Sequence, residues 1–199
     1  MVAELHDAIW AGMPDDAMPE CFGPRREFLL AHVEAGETVL DLGCGAGEFS
    51  AALADAGAVT IAVDVAPEAL RRARAGLIGL DARLWATGEP LPVQDATVDV
   101  VWAGEVLEHV VDVAPWLSEV RRVLRPHGTL LLTTPDNGPR TLLALALSRR
   151  RFATHFEPRS DHVRFFSRRT LRELLDDLGF DVVDLRSRRG MIFARAVRG

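Results

Sequence analysis

Two stretches of the chain carry residue types that can do chemistry. The first is Val39-Leu40-Asp41-Leu42-Gly43-Cys44-Gly45-Ala46-Gly47-Glu48-Phe49: an apolar run ending in an acid, three glycines at alternate positions, then a helical stretch. It reads as strand, tight turn and helix N-terminus. Such a turn exposes backbone N–H groups and lets a ligand approach where a Cβ would block it, which suits a nucleotide-type ligand. The second is Glu105-Val106-Leu107-Glu108-His109, with His155 and His162 far downstream. On a helix, positions i, i+3 and i+4 share a face, so two carboxylates and an imidazole there could contribute to a divalent metal site. The same spacing also describes an amphipathic helix with Val106, Leu107, Val110 and Val111 inward and its polar residues in water.

Alternating glycines alone are weak evidence, because many dinucleotide-binding proteins share them. Two acids sharpen the reading. Asp64 closes the next apolar run, 23 positions after Asp41. A carboxylate there is placed to accept hydrogen bonds from both ribose hydroxyls of a nucleoside. Asp41 sits where a pyrophosphate binder usually avoids negative charge. It suits a ligand with an ammonium group and no phosphate, which points to S-adenosylmethionine (SAM) rather than NAD; a helix N-cap is the structural alternative.

These residues need strands and helices to hold them. The spacing predicts short helices over 3–11 and 25–34, the second ended by Gly36, together forming a lid over the site within residues 1–36. Strand Thr38–Leu42 is followed by helix Glu48–Ala56 closed by Gly57, and strand Val59–Val63 by a helix opened by Pro67 and closed by Gly79. Arg83–Ala86 is a weak third strand and Val98–Ala103 a fourth. Helices are predicted over Val106–Val111 and Pro115–Leu124, and a strand over Gly128–Thr134. Residues 137–166 break the alternation. They hold a helix candidate (Thr141–Ser148) and a polar stretch with two histidines, read as an insertion over the carboxyl ends of the strands. Helix Thr170–Leu178 precedes strands Phe180–Leu185 and Met191–Val197, joined by a hairpin at Arg188-Arg189-Gly190. Strands alternating with helices imply an α/β fold with a mostly parallel sheet covered on both faces. The 199 residues fit one domain with a sizeable core.

Composition is ordinary for a globular protein, 48% hydrophobic and 26% charged. The net charge of −6 argues against a dedicated duplex nucleic-acid binder. The arginines are uneven, however: Arg140, Arg149, Arg150, Arg151, Arg159, Arg164, Arg168, Arg169 and Arg172 make either a cationic face for an anionic substrate or a solvated surface. Cys21 and Cys44 have neither metal-knuckle nor redox spacing. The start carries Glu4, His6 and Asp7 without an apolar segment, and Leu142–Leu147 is too short to span a bilayer, so a cytoplasmic protein with no membrane partner is expected.

The motifs together resemble those of the class I SAM-dependent methyltransferases. Val39–Phe49 is similar to that family's first motif, Asp64 to its ribose acid, Leu91–Asp95 through Val101 to its fourth-strand block, and Leu124–Leu130 to its turn into the fifth strand. The resemblance covers residues 25–197. It implies a Rossmann-like seven-stranded sheet with an antiparallel C-terminal hairpin. It also implies that Gly43, Gly45 and Gly47 border the methionine part, that Asp41 holds its amino group and that Asp64 takes the ribose. The usual adenine-reading acid is replaced by Thr87 beside Gly88, leaving the adenine to these two and to Val65, with Ala103 closing the fourth strand beside the cofactor. Arg25 or Arg26 could reach the SAM carboxylate.

The segment Ser160-Asp161-His162-Val163-Arg164-Phe165-Phe166, with Glu-x-x-Glu-His before it, resembles metal-dependent terminal 2′-O-methyltransferases of small RNAs; the ubiquinone-biosynthesis O-methyltransferases carry a similar Glu-x-x-Glu-His. This implies Glu105, Glu108, His109 and His162 as ligands for Mg²⁺, Mn²⁺ or Zn²⁺ on vicinal hydroxyls, with His109, His155 and His162 as candidate catalytic groups. The expected function is O-methylation of a small-molecule diol, sugar or catechol. Ribose methylation of RNA, N-methylation of an amine, and a non-catalytic SAM-binding module are the alternatives. The chain is read as a monomer or homodimer.

Overall fold

A computed structural model describes residues 2–157 and 161–199. In chain order the elements are α1 (Val2–Gly12), α2 (Phe22–Leu30), β1 (Thr38–Leu42), α3 (Glu48–Asp55), β2 (Val59–Asp64), α4 (Pro67–Gly76), β3 (Asp81–Leu84) and β4 (Val98–Gly104). After a 3-10 turn at Leu107–His109 come α5 (Val113–Val123), β5 (Leu124–Pro135), α6 (Pro139–Ala146), α7 (Arg149–His155), α8 (Arg168–Asp177), β6 (Phe180–Arg188) and β7 (Met191–Arg198). The seven strands lie in the order β3-β2-β1-β4-β5-β7-β6. The first five are parallel and β7 runs antiparallel to both its neighbours. The mostly parallel sheet and its reversed terminal hairpin match the expectation.

Alternation along β1 divides the core. Leu40 and Leu42 face a cluster with Trp116, Leu117, Leu171 and Leu175 of α5 and α8. Val39 faces Phe28, Leu29, Phe49 and Leu53 of α2 and α3. The strand order turns back between β1 and β4, so their carboxyl ends diverge and open a crevice there, where doubly wound sheets take ligands.

Several boundaries differ from the sequence pattern. β3 runs over Asp81–Leu84 rather than Arg83–Ala86, because it pairs in register with Ile61–Asp64. α2 starts at Phe22; Gly23 and Pro24 fall in its first turn, where a missing N–H is harmless. α4 ends at Gly76, and Gly79 serves the following turn with φ +84°. The polar stretch after α6 holds a second helix, α7.

The largest correction concerns Val106–Val111, which is not a helix. Glu105 takes φ +58°, a left-handed conformation costing a non-glycine residue on the order of 1 kcal/mol. The chain then makes only the 3-10 turn, and Val110 is extended. β-branched valines favour helix weakly. The Glu108 carbonyl, which a helix would have turned toward Asp112, accepts N–H groups from Val163 and Arg164 instead, at 2.9 and 3.0 Å.

Leu40 is fully buried and Leu84 is 55% exposed. Leu40→Ala is expected to lower unfolding free energy by about 2–5 kcal/mol, and Leu84→Ala by under about 0.5 kcal/mol. Urea titrations check this as a shift in midpoint at constant slope.

Candidate functional site

The glycine turn is built differently from the expected amide cradle. The N–H groups of Gly43 and Cys44 both donate to Val63 O, Gly47 N–H to Cys44 O, and Gly45 N–H to Asp64 Oδ2 at 2.9 Å. These four amides are consumed inside the turn, so it offers little to a phosphate. What the glycines supply is room. A Cβ on Gly43 would lie 2.4 Å from Val106, and one on Gly45 2.7 Å from the Trp10 ring. Side chains from α1 and from the loop after β4 therefore close on the turn to distances only glycine permits.

Asp41 ends β1 almost fully buried and accepts a hydrogen bond from Ser50 Oγ at 2.6 Å. Burial pushes its carboxyl up to about 7, against the opposing pull of the Ser50 hydroxyl; Asp64 nearby adds to the rise. Asp64 accepts Gly45 N–H on one oxygen and Ala66 N–H on the other, 2.9 Å each. The carboxylate has about four acceptor positions, so beside these backbone donors and the Val65 N–H it retains room for a hydroxyl donor. Burial raises its pKa too. Of the two early arginines, Arg25 turns inward and Arg26 outward. Arg25 is buried, its guanidinium 4.7 Å from the Phe49 ring centroid and 5.8 Å from that of Trp102. Burial lowers its pKa while Glu105, Glu108 and Asp41 hold it up. Its Nε is buried with no hydrogen bond among the described residues. Val65 is half-buried, Ala103 fully buried, and Thr87 and Gly88 lie exposed in a turn beyond β3.

The second half of the site forms where the segment after residue 160 meets the 3-10 turn. The paired N–H groups on Glu108 O fix Val163 and Arg164, and the Arg164 guanidinium donates to the Val110 and Val111 carbonyls. That places Asp161 and His162 against His109. The His109 Nδ1 lies 3.1 Å from Asp161 O and 3.3 Å from Asp161 Oδ2, and its ring centroid is 4.8 Å from that of His162. Among the described residues, Glu108, His109 and His162 bring potential ligand atoms within 4.8 Å of one another, and so do His6, His109 and Asp161. Three of the four residues expected to hold a metal thus converge. Glu105 belongs to neither group. Glu108 accepts Thr134 Oγ1–H at 3.0 Å. Burial first, then the neighbouring Glu105 carboxyl, pushes Glu108 well above the usual carboxylate range. Glu105 Oε1 and Glu108 Oε1 are buried beside one another, an expensive crowding of two acids that a cation would relieve. The donor set of carboxylate and imidazole therefore fits a divalent ion.

His155 stands apart from both groups. It ends α7 with Nε2 2.7 Å from Asn137 Oδ1, beside Phe156 and Phe165. It lines a cleft of about 510 Å³ with Leu145, Ser148, Arg150 and Thr154. The expected cationic face is partly spent on structure: Arg164 clamps the turn, Arg169 pairs with Glu173, and Arg172 donates to Val182 O. Arg159 lies outside the described residues. Sequence reasoning missed His6, Trp10 and Asp161. The available signal was the His6–Trp10 spacing of four, which places both on one face of α1.

A family profile described as a methyltransferase domain matches residues 16–185. An S-adenosylmethionine-dependent methyltransferase of Mycolicibacterium smegmatis is 37% identical over 161 residues, 78% of this chain and 56% of that protein. A ubiquinone biosynthesis O-methyltransferase of Cereibacter sphaeroides is 32% identical over 164 residues, 79% of this chain and 64% of that protein. The chain thus spans 56% to 64% of the length of these curated relatives. Among solved structures, the methyltransferase in complex with the Haloferax volcanii Trm112 methyltransferase activator has a TM-score of 0.79 at 25% identity, over 96% of each chain. The geranyl diphosphate C-methyltransferase of Streptomyces coelicolor shares the fold, with a TM-score of 0.73 at 18% identity over 100% of this chain and 98% of that one.

The Asp41 carboxyl moves from 3.8 to about 7 on folding. Between those values the folded chain holds a proton that the unfolded chain has released. Stability is therefore expected to fall as pH rises from about 4 to about 7 and to level off above, a loss on the order of 4 kcal/mol from this group. Asp41→Asn should flatten that slope in urea titrations run at several pH values.

Proposed function

The chain belongs to the S-adenosylmethionine-dependent methyltransferases, and on that footing we propose that it methylates a hydroxyl of a small molecule bearing a vicinal diol, a sugar or a catechol, with a divalent ion at Glu108, His109 and His162. The observation that carries this reading is the convergence of those three residues beside the glycine turn, with the Glu105 and Glu108 carboxyls crowded together in a largely buried place. Asp41, once ionised, meets the methionine ammonium, with Arg25 toward its carboxylate. Asp64 takes the ribose hydroxyls. Gly43, Gly45 and Gly47 border the methionine part, the first two with the Val106 and Trp10 side chains packed on them, and Val65, Thr87, Gly88 and Ala103 border the nucleoside. A divalent ion, when bound, chelates two neighbouring hydroxyls and lowers the pKa of the one that attacks. Glu108, His109 and His162 orient that acceptor in line with the methyl group, and Glu105 adds negative charge behind them. His155, with Nε2 engaged by Asn137, keeps Nδ1 to accept a proton.

The likeness to a ubiquinone biosynthesis O-methyltransferase supports O-methylation over N-methylation. The half-exposed rings of Phe156 and Phe165, 5.4 Å apart beside Asn137, favour an aromatic acceptor. The lid role of residues 1–36 belongs to the same reading, as does a cytoplasmic location, which the two free cysteines suit. Among the described residues no helix is long and apolar enough to cross a membrane. A second reading, a chain working with a partner activator, is favoured by the likeness to the Trm112-bound methyltransferase. RNA ribose methylation draws only on the arginines that remain solvated.

Transfer of labelled methyl groups to a panel of catechols, diols, amines and short RNAs, with and without chelator, tests the proposal. Activity on a catechol or diol should vanish on chelation and return with one divalent ion. Glu108→Gln should lower kcat/KM by about 100-fold or more with S-adenosylhomocysteine affinity unchanged. Full activity in protein verified as metal-free would sink the metal step, and transfer to RNA with a steep salt dependence would redirect the substrate assignment.

A further inference from the structure

The N-terminal helix docks in an unexpected orientation. Leu5 and Ile9 of α1 are 50% and 36% exposed, while His6, Asp7 and Trp10 face the body of the protein. A helix placed by the hydrophobic effect alone would bury the leucine and isoleucine. Instead, Asp7 accepts Glu68 N–H at 2.7 Å, and Arg72 of α4 donates to the Met13 and Pro14 carbonyls and lies 6.0 Å from the Trp10 ring centroid. These contacts pin the helix so that Trp10 covers Gly45 and His6 enters the histidine cluster. The His6 ring stands edge-on to His109, centroids 5.4 Å apart. His6, His109 and Asp161 bring ligand atoms within 4.8 Å of one another.

We propose that His6, His109 and Asp161 form a divalent-ion site completed by α1, so that ion binding closes the N-terminal helix over the glycine turn. Two imidazoles and one carboxylate favour zinc, manganese or cobalt over magnesium, which prefers all-oxygen surroundings. The three ligands come from three separate parts of the chain: the first helix, the turn after β4 and the segment after residue 160. None of them can hold the ion alone, and His6 arrives only when α1 is docked. Because His6 and Trp10 share one helix face, an ion on His6 also fixes Trp10 on Gly45. The inference rests on the metal-assisted reading only through the shared ligand His109, which also faces Glu108 and His162.

The test is Co²⁺ titration of the full chain, followed by the cobalt d–d absorption and by hydrogen exchange over residues 2–12. The variants are H6A, H6Q, D161N, E108Q and H162A, with circular dichroism to verify that each folds. H6Q keeps the helix and removes the imidazole. H6A, H6Q and D161N should each weaken Co²⁺ binding by about tenfold or more, and Co²⁺ should slow exchange over residues 2–12 in the wild type but not in H6Q. Unchanged Co²⁺ affinity in the His6 variants or in D161N overturns the proposal; if E108Q and H162A still lose affinity, the metal-assisted reading survives it. A loss in the His6 and Asp161 variants with none in E108Q and H162A upholds the α1 site and removes the Glu108–His162 set. Wild-type protein that binds no Co²⁺ overturns both.

Discussion

Four carboxyl groups, Asp41, Asp64, Glu105 and Glu108, crowd the carboxyl ends of β1, β2 and β4, and burying their charge sets the terms for the rest of the site. Isolated carboxylates in a low-dielectric interior are costly, so each must be hydrogen-bonded, protonated or faced by a cation. All three remedies are present. Backbone amides of the glycine turn and of Ala66 serve Asp64, and hydroxyls of Ser50 and Thr134 serve Asp41 and Glu108. Raised pKa values show the remaining strain, and Arg25 is the buried cation that Asp41, Glu105 and Glu108 share. The rim is thus short of positive charge. A sulfonium cofactor with an ammonium group and a divalent ion would each supply some.

The second half of the site depends on backbone pairing between segments far apart in sequence. Glu105 leaves β4 in a left-handed conformation, and the chain turns too tightly to form a helix. That frees the Glu108 carbonyl to bind Val163 and Arg164, and this pairing brings Asp161 and His162 to His109. The strain at Glu105 and the insertion's position are therefore two sides of one arrangement. α1 reaches the same place from the other end of the chain, held by polar contacts to α4 rather than by a buried apolar stripe. Such a helix can undock at little hydrophobic cost, as a cover over a binding cleft must.

The relatives and the fold place the chain among methyltransferases whose acceptors differ widely, as expected when one scaffold hosts many substrates through its loops. Here α1 and the insertion carrying α6 and α7 stand outside the regular alternation of strands and helices. The insertion presents Phe152, Phe156 and Phe165 half-exposed around His155.

Much was determined locally and could be read from the chain alone. The β1–turn–α3 unit follows from an apolar run, an acid and glycines that must accept positive φ or close contact; the mostly parallel sheet follows from alternating elements; the terminal hairpin follows from Gly190 between two apolar runs. Asp41 and Asp64 fall at strand ends, so their place at the crevice was fixed with the strands. The site's second half was not determined locally. The Glu105–His109 spacing suggested a helix, and only the pairing of Glu108 with residues 163 and 164 shows that Glu108, His109 and His162 converge through a turn. His6, Trp10 and Asp161 carry no motif; their roles exist because α1 and the insertion fold back over the sheet. Periodicity reports which face of an element is buried, but not which distant element lies against it, and here His6, His109 and Asp161, from three segments far apart in the chain, supply one cluster.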